Sequence, residues 1–564
     1  MISADVPGSG GVAHRTPVDL PTEHAGGASA SGVPLGLALL TVALIVVWLA
    51  VDPRTPDLAA QVYRVGLFRQ LGFAMWDEHW YDGHSLPGYS LIYPPLASLL
   101  GMRLLGALCV LASSMLFARL LRPAYGRDAR WGGALFAVAA LGDVWIGRLT
   151  FALGVSLALA AGLALARERW LWAGLLAALC ATASPVAAVL LGLAGLSVAL
   201  AWRAPRVLLV LAGPAAVVVL VVAALFPEGG YEPYPILSFA ATMLVVAAFL
   251  WALPRAARLL RIGACVYALA CVACLAVHSP MGSNIERYAV LLAGPLLLCA
   301  RLAASPGNGA SALPRGRLTP AAAVALCVTA VWVVWGPARE TLAVAGSEAT
   351  SAAYYVPVER FVARVEAPPG SPVRVEVPLT RSHWEAALLA PTVSLARGWD
   401  KQMEARYDGA LLAHGLTAAG YERWLRQQAV AYVALPDVPL DPSSAQEGRL
   451  IRRGLPYLRE VFASAHWRIF RVLAATPLAS GPGRLTSLGH DSFALSASAP
   501  GNFLVRVHFT RYWTITRGSG CVAQAPGGWT AVSLSEPGTA VVTASFSLAR
   551  AFGSGGSCSS SRSL

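Results

Sequence analysis

"DLAAQVYRVGLFRQLGFAMWDEHWYDGHSLPGYSLIYPPL", residues Asp57–Leu96, decides how this chain is read. It follows directly on the apolar run 33–51, close to the roughly 20 residues that a helix needs to cross a bilayer. Leaving that run, the chain at once presents Asp57, Asp77, Glu78, Asp82 and His84 among Trp76, Trp80, Tyr81 and Tyr89. A plain connector needs neither so many acids nor so many rings. The first half has helical spacing. Leu58, Val62, Val65 and Leu67 or Phe68 fall on one side, and Asp57, Gln61 and Arg64 on another. That predicts a helix lying at the membrane surface. The second half, "WYDGHSLPGYSLIYPPL", turns back through Gly83, Pro87 and Gly88, and Pro94 and Pro95 open the next apolar run.

Composition sets the class around this loop. Of 564 residues, 56% are hydrophobic and 13% charged, against about 25% charged in soluble domains. Mean hydropathy is +0.59. This is an integral membrane protein, with the apolar density before residue 337. The formal charge of +13 does not point to nucleic acid, because the arginines stand in short clusters between apolar runs. Lys401 is the only lysine.

The apolar runs and their breaks predict about eleven spans. They cover 33–51, 96–116, 131–144, 151–166, two halves of 170–202 split at Ser184–Pro185, 207–226, 236–253, 262–277, 288–302 and 320–335. Arginine clusters follow every second span: Arg119 to Arg130, Arg167 and Arg169, Arg203 and Arg206, Arg255 to Arg261, Arg315 and Arg317. With the N-terminus inside, all of them fall in the cytoplasm. The other loops carry Asp57 to Asp82, Asp143, Glu228 with Glu232, and Glu286 with Arg287, and an odd count puts the C-terminal region outside.

Residues 1–32 read as a disordered cytoplasmic tail and not a signal peptide, and 553–564 as a flexible tail. The transmembrane domain is 33–336, with 52–95 as a large first outer loop. Residues 337–475 mix helical and strand patterns, predicting an extracytoplasmic α/β domain, and 476–552 alternate as a β-sandwich. Cys521 and Cys558 are the only cysteines of that region, and outside the cytoplasm they can pair. Cys271 and Cys274 form a C-x-x-C inside a span, with no second pair to make a metal site.

The N-terminal span, the acidic first outer loop with its surface helix, the "YPP" return and the outer C-terminal region resemble the GT-C superfamily of integral membrane glycosyltransferases. The resemblance covers the span order of 33–336 and, loosely, the outer region. It is one of architecture, because members of the superfamily differ in their acidic pair. It implies transfer of a sugar from a polyprenyl-phosphate carrier to an envelope glycan, lipid or protein on the outer face of the plasma membrane. Asp57 corresponds best to the first-loop carboxylate of that superfamily and is the expected general base.

Such chemistry needs a base for the acceptor hydroxyl and cations around the departing phosphate. Asp143, in "GDVWIGR", faces the same side as Asp57 and is the second acid. Arg287, with Asn284 in "SPMGSNIERY", is the expected phosphate ligand, and Arg64 is the nearer option. Trp76, Trp80 and Tyr81 offer faces for sugar stacking, with Asp77, Glu78, His84 and Tyr89 as the polar wall around them. The sequence assigns no cofactor. A divalent metal stays an option through His84 with Asp82 or Asp77, although no H-x-x-x-H spacing supports it. His383, Trp384, Arg397, Trp399 and Asp400 are candidates for an acceptor pocket.

Plainer roles compete at each position. Asp57 suits an N-cap, the rings suit an interfacial belt, Arg287 can pair with Glu286, and Arg148 beside Asp143 reads as an ordinary loop pair. Two other functions also compete: a transporter or flippase of lipid-linked sugars, and a non-catalytic envelope-assembly protein with a glycan-binding β-sandwich. A transporter places ionisable groups near the bilayer midplane. Here the spans are nearly free of them, with Arg103 the exception near the start of its run. The assembly protein predicts that neutralising Asp57 does nothing while deleting 476–564 removes function.

Overall fold

The computed structural model describes residues 35–303, 319–368, 370–413, 415–553 and 558. The expected N-terminal tail, Arg315, Arg317 and nearly all of the C-terminal tail lie outside them.

The first apolar helix is Leu35–Val51 (α1), and the chain bends by 82° from it into Pro56–Leu71 (α2). The bend follows from chemistry: Thr55 is extended, and Pro56 starts a helix but cannot continue one. α2 therefore lies across the end of α1, as its spacing predicts. Its cap is Thr55, so Asp57 sits inside the first turn and is not the N-cap. Two short strands follow, Trp76–Asp77 (β1) and His84–Ser85 (β2), paired antiparallel.

The "YPP" run forms Tyr93–Leu100 (α3), separate from Met102–Tyr125 (α4). The sequence reads as one run from 96 to 116. Gly101 breaks it by adopting φ +84°, a conformation that glycine enters at no steric cost. Then come Ala129–Trp145 (α5), which packs back along α4, Leu149–Ala166 (α6), Trp170–Ala183 (α7) and Pro185–Trp202 (α8). The expected break at Ser184–Pro185 is present, and the Ser184 hydroxyl accepts from the Ala187 amide. Pro205–Leu225 (α9), Ile236–Ala252 (α10), Arg258–Ala276 (α11), Glu286–Ala303 (α12) and Pro320–Val344 (α13) complete the bundle. α13 outruns its predicted end at 335, passing Pro337 to carry the chain into residues 352–552, the outer region in the sense that it lies beyond the helical bundle.

Six stretches among the described residues are long and apolar enough to cross a membrane, with Met102–Trp145 taken as one; the count is seven if α1 and α2 form one bent span. α7 and α10 are apolar but shorter. The loops that are acidic or mixed in sequence meet on one face. Ser85 N–H bonds Glu228, Leu91 N–H reaches Thr182 O at 2.8 Å, and Thr55 Oγ reaches Trp145 O at 3.1 Å.

The outer region begins with Ala352–Glu366 (α14) and a five-stranded mixed sheet. Its strands are Arg374–Glu376 (β3), Ser394–Leu395 (β4), Val430–Pro436 (β5), Leu458–Ala463 (β6) and Trp467–Val472 (β7). Between them lie Glu385–Leu388 (α15), Lys401–Tyr407 (α16), Gly409–Leu412 (α17), Ala418–Gln427 (α18) and Ala445–Arg453 (α19). β4, β3 and β5 run parallel, while β7 and β6 add antiparallel.

Beyond it are two four-stranded antiparallel sheets. One joins Gly483–Leu488 (β9), Ser492–Ala497 (β10), Trp513–Arg517 (β12) and Gly538–Ala544 (β15). The other joins Ala479–Ser480 (β8), Gly501–His508 (β11), Gly520–Gln524 (β13) and Trp529–Leu534 (β14). Alternate residues such as Phe493, Leu495, Phe503, Val505, Val532 and Val542 fill the space between them. Leu548–Phe552 (α20) follows, and Cys521 is bonded to Cys558, the pairing that the sequence allows.

One apolar core joins the membrane bundle to the outer region. Leu58 and Tyr63 of α2, Trp80 and Tyr81 of the loop, and Trp384, Leu389 and Trp467 of the outer sheet unit pack in a single cluster.

Candidate functional site

The site is built where α2 meets the α5–α6 turn. Gly147 makes this approach possible. It has φ +93°, and a Cβ there would lie 2.2 Å from the Leu58 amide nitrogen. With the turn seated against the start of α2, Arg148 reaches two acids. Its Nε is 3.4 Å from Asp57 Oδ2, and its Nη1 is 3.5 Å from Asp143 Oδ1. Desolvation opposes the Arg148 charge, but Asp57 and then Asp143 outweigh it and raise the pKa. Asp57 is 37% exposed and Asp143 4%, so one acid is open to solvent and the other backs the arginine.

Arg287, in the first turn of α12, stands within electrostatic reach of Arg148, Asp143, Asp57 and Tyr89. Its Nη2 donates to Asn284 Oδ1 at 2.5 Å, and its buried Nε has no partner among the described residues. The expected pair Arg287–Asn284 is thus assembled next to the expected pair Asp57–Asp143. Arg148 is the residue that sequence reasoning undervalued. The signal was the glycine before it in "GDVWIGR".

Arg64 is placed differently. It donates to Asp400 Oδ2 at 2.8 Å and lies 3.6 Å from the Tyr89 ring centroid, whose hydroxyl accepts from Gln61 at 2.7 Å. Arg64 is buried, so it ties α2 to the outer region before it can meet any phosphate. Asp400 caps α16, and Lys401 and Gln402 follow it toward the membrane-side loops. Gln402 reaches Pro280 O, and Lys401 is in electrostatic reach of Glu232.

The other first-loop candidates are interior residues, which corrects their expected role as an open substrate wall. Asp77 accepts from Tyr63 Oη (2.8 Å) and lies 2.9 Å from His490 Nδ1. Burial alone would raise its carboxyl; the His490 hydrogen bond and the His84 ring outweigh burial and lower it. Glu78 accepts from Trp76 Nε1, and burial pushes its carboxyl well up. Trp76 meets Trp513 of the sandwich edge to face at 6.0 Å. Trp80 donates to Ala386 O at 3.0 Å and stacks on Tyr63, while Gly398 leaves room for its ring. Tyr81 Oη bridges the backbone of Asp400, accepting from its N–H at 2.9 Å and donating to its C=O at 3.1 Å. Asp82 and Arg374 form an ion pair at 2.9 Å that is closed to solvent, and burial pushes Asp82 up to about 7.

Of the residues offered for a divalent metal, His84 lies 3.8 Å from Asp77, while Asp82 turns to Arg374. Among the described residues no three His, Cys, Asp or Glu side chains group as a metal site. In the acceptor set, His383 stacks on Trp399 at 3.4 Å, Trp384 donates to Arg54 O, and Arg397 is buried among Glu376, Glu404 and Glu447. These build the outer region, and only Trp399 and Asp400 stay partly open beside the site. A groove of about 330 Å³ lies nearby, lined by Tyr407, Thr417, Arg423, Trp424 and Gln427 among others.

An apolar helical bundle with acids and arginines at one face, roofed by a folded outer region, defines a multi-pass membrane protein. No protein-family model matches the chain, and no curated protein matches it in sequence. Among solved structures it is similar to the mycobacterial arabinofuranosyltransferase AftD seen by single-particle cryo-EM, at 14% identity and a TM-score of 0.44, covering 94% of this chain and 58% of that one. A mutant form of AftD gives 15% identity and a TM-score of 0.44, covering 92% of this chain and 60% of that one. The chain therefore spans less than two thirds of the length of either.

Proposed function

We propose that this protein is a GT-C-like membrane glycosyltransferase that moves a sugar from a polyprenyl-phosphate donor to an envelope glycan, glycolipid or protein. The observation that carries this reading is the Asp57–Arg148–Asp143 bridge, with Arg287 beside it, at the ends of apolar helices and under the outer region. A donor whose prenyl tail stays in the bilayer must react at such a level. In this reading the eleven helices α1 and α4–α13 all cross, the N-terminus is cytoplasmic and the outer region extracytoplasmic. The arginines at the far ends of the helices support that orientation.

Asp57 takes the proton of the acceptor hydroxyl. The acceptor oxygen bonds to the anomeric carbon as the bond from that carbon to the phosphate oxygen breaks, and the polyprenyl phosphate leaves with the electron pair. Arg287 and Arg148 meet its charge with directed N–H groups. Asp143 holds Arg148 in place.

The test compares envelope sugars in cells carrying the wild type, Asp57→Asn or a deletion of the gene. The expected result is an Asn variant made in normal amounts that lacks the same sugar as the deletion. An Asn variant with wild-type sugars removes Asp57 from the chemistry.

A further inference from the structure

α9 is the most apolar crossing candidate, with mean hydropathy 2.9 and only 17% of it buried within the protein. Its end at Leu225 therefore marks one edge of the hydrocarbon layer. The β-sandwich touches that edge. Tyr512 donates its hydroxyl to Leu225 O at 2.8 Å, and the rings of Phe226, Tyr512 and Phe546 gather with centroids 5.5, 5.6 and 6.2 Å apart.

Phe546 leads straight into α20. Leu548 and Phe552 are four residues apart and share one face of that helix, while Ala551 is buried. They are 67% and 81% exposed. Two extended residues and one helical turn place Phe552 within about 13 Å of the ring cluster. The segment is also held firmly. Ser545 N–H bonds Tyr512 O at 3.0 Å, Ser547 caps Arg550 N–H, and Arg511 donates to Ala551 O at 2.8 Å. Large apolar side chains pinned beside a membrane edge, with two arginines among them, have the make-up of an interfacial anchor.

We propose that Phe546, Leu548 and Phe552 form a foot by which the β-sandwich enters the headgroup and acyl boundary of the adjacent leaflet, with Arg511 and Arg550 at the lipid phosphates. The foot goes beyond the transferase reading and holds whether or not the chain moves a sugar.

The full chain is placed in nanodiscs of phosphatidylethanolamine and phosphatidylglycerol, with a benzoylphenylalanine crosslinker replacing Leu548, Phe552 or Glu536. Glu536 is exposed in the β14–β15 turn, at the far end of the sandwich. β15 puts it about 20 Å from the foot. Lipid adducts several-fold more abundant at 548 and 552 than at 536 are expected in the mass spectrum of the irradiated protein. Equal yields at the three positions overturn the proposal, as do dimers crosslinked through 552 in place of lipid adducts.

Discussion

Asp57 and Gly147 test the site at the level of single residues. Asp57→Asn removes the proposed base while keeping its shape, and a drop in kcat of about 10²–10⁴ is expected with little change in melting temperature. Gly147→Ala tests the approach that builds the site. A Cβ at φ +93° meets the start of α2, so a stability loss of roughly 2 kcal/mol or more is expected, together with lost transfer. Thermal unfolding of purified protein beside a transfer assay reads both. Asp57, Asp143 and Arg287 stand out in the sequence because charged side chains are rare next to apolar runs, and Asn284 stands out only as a neighbour of Arg287. Arg148 was undervalued because Gly147 before it marks a tight turn without saying that α2 comes so near. Asp77, Glu78 and His84 misled for the opposite reason. In sequence, a buried polar network looks the same as an open polar wall.

The first-loop hairpin is the element on which pH acts. His79 packs its ring against His490 at 3.9 Å and faces Asp77 and the carbonyl of Ala390. Burial, and then the His490 ring, hold it down to about 4. His508 at the same junction is held to about 3 by burial and Arg374, between the rings of Tyr407 and Trp529. The neutral native form of His79 therefore adds stability that is complete above its unfolded pKa of about 6.5 and lost as pH falls toward 4. His79→Gln is expected to lose less stability than the wild type between pH 6.5 and 4.5, by on the order of 2 kcal/mol. Melting curves of the two proteins across that range check it. Most helices were legible as elements, since apolar length alone reveals them. Their packing was not, because runs such as α6 and α8 are apolar all round and show no preferred face. Gly101 was missed because an apolar run hides a single backbone turn.

Across the whole molecule, the disulfide reports the compartment. Cys521–Cys558 closes a loop of 37 residues, so Cys521→Ser is expected to cost about 2–4 kcal/mol of outer-region stability. In intact cells, an impermeant maleimide is expected to label the pair only after an impermeant reductant; a pair that stays unlabelled after reduction and reacts only once the cells are lysed places the region in the cytoplasm. Deleting 476–564 separates catalysis from scaffolding poorly, because it also removes His490 from Asp77 and the His508 N–H from Asp82 O. The order of the apolar runs was legible from hydropathy, and the proposed sidedness rests on the placement of arginine. The docking of the outer region was not legible, since it depends on pairs hundreds of residues apart that no local pattern marks.

Those long separations also set a schedule for biosynthesis. Asp77 waits for a partner 413 residues later, and the carbonyl of Tyr81 for one 427 residues later. At ribosomal speeds of about 5–20 residues per second, the newly made loop stands roughly 20–80 s without the groups that will enclose its acids and histidines. Its two-residue strands cannot hold a shape alone for that time. The first loop to emerge is thus the last to settle, and a ribosome that stops short of the sandwich leaves a bundle already made but with its first loop still unenclosed.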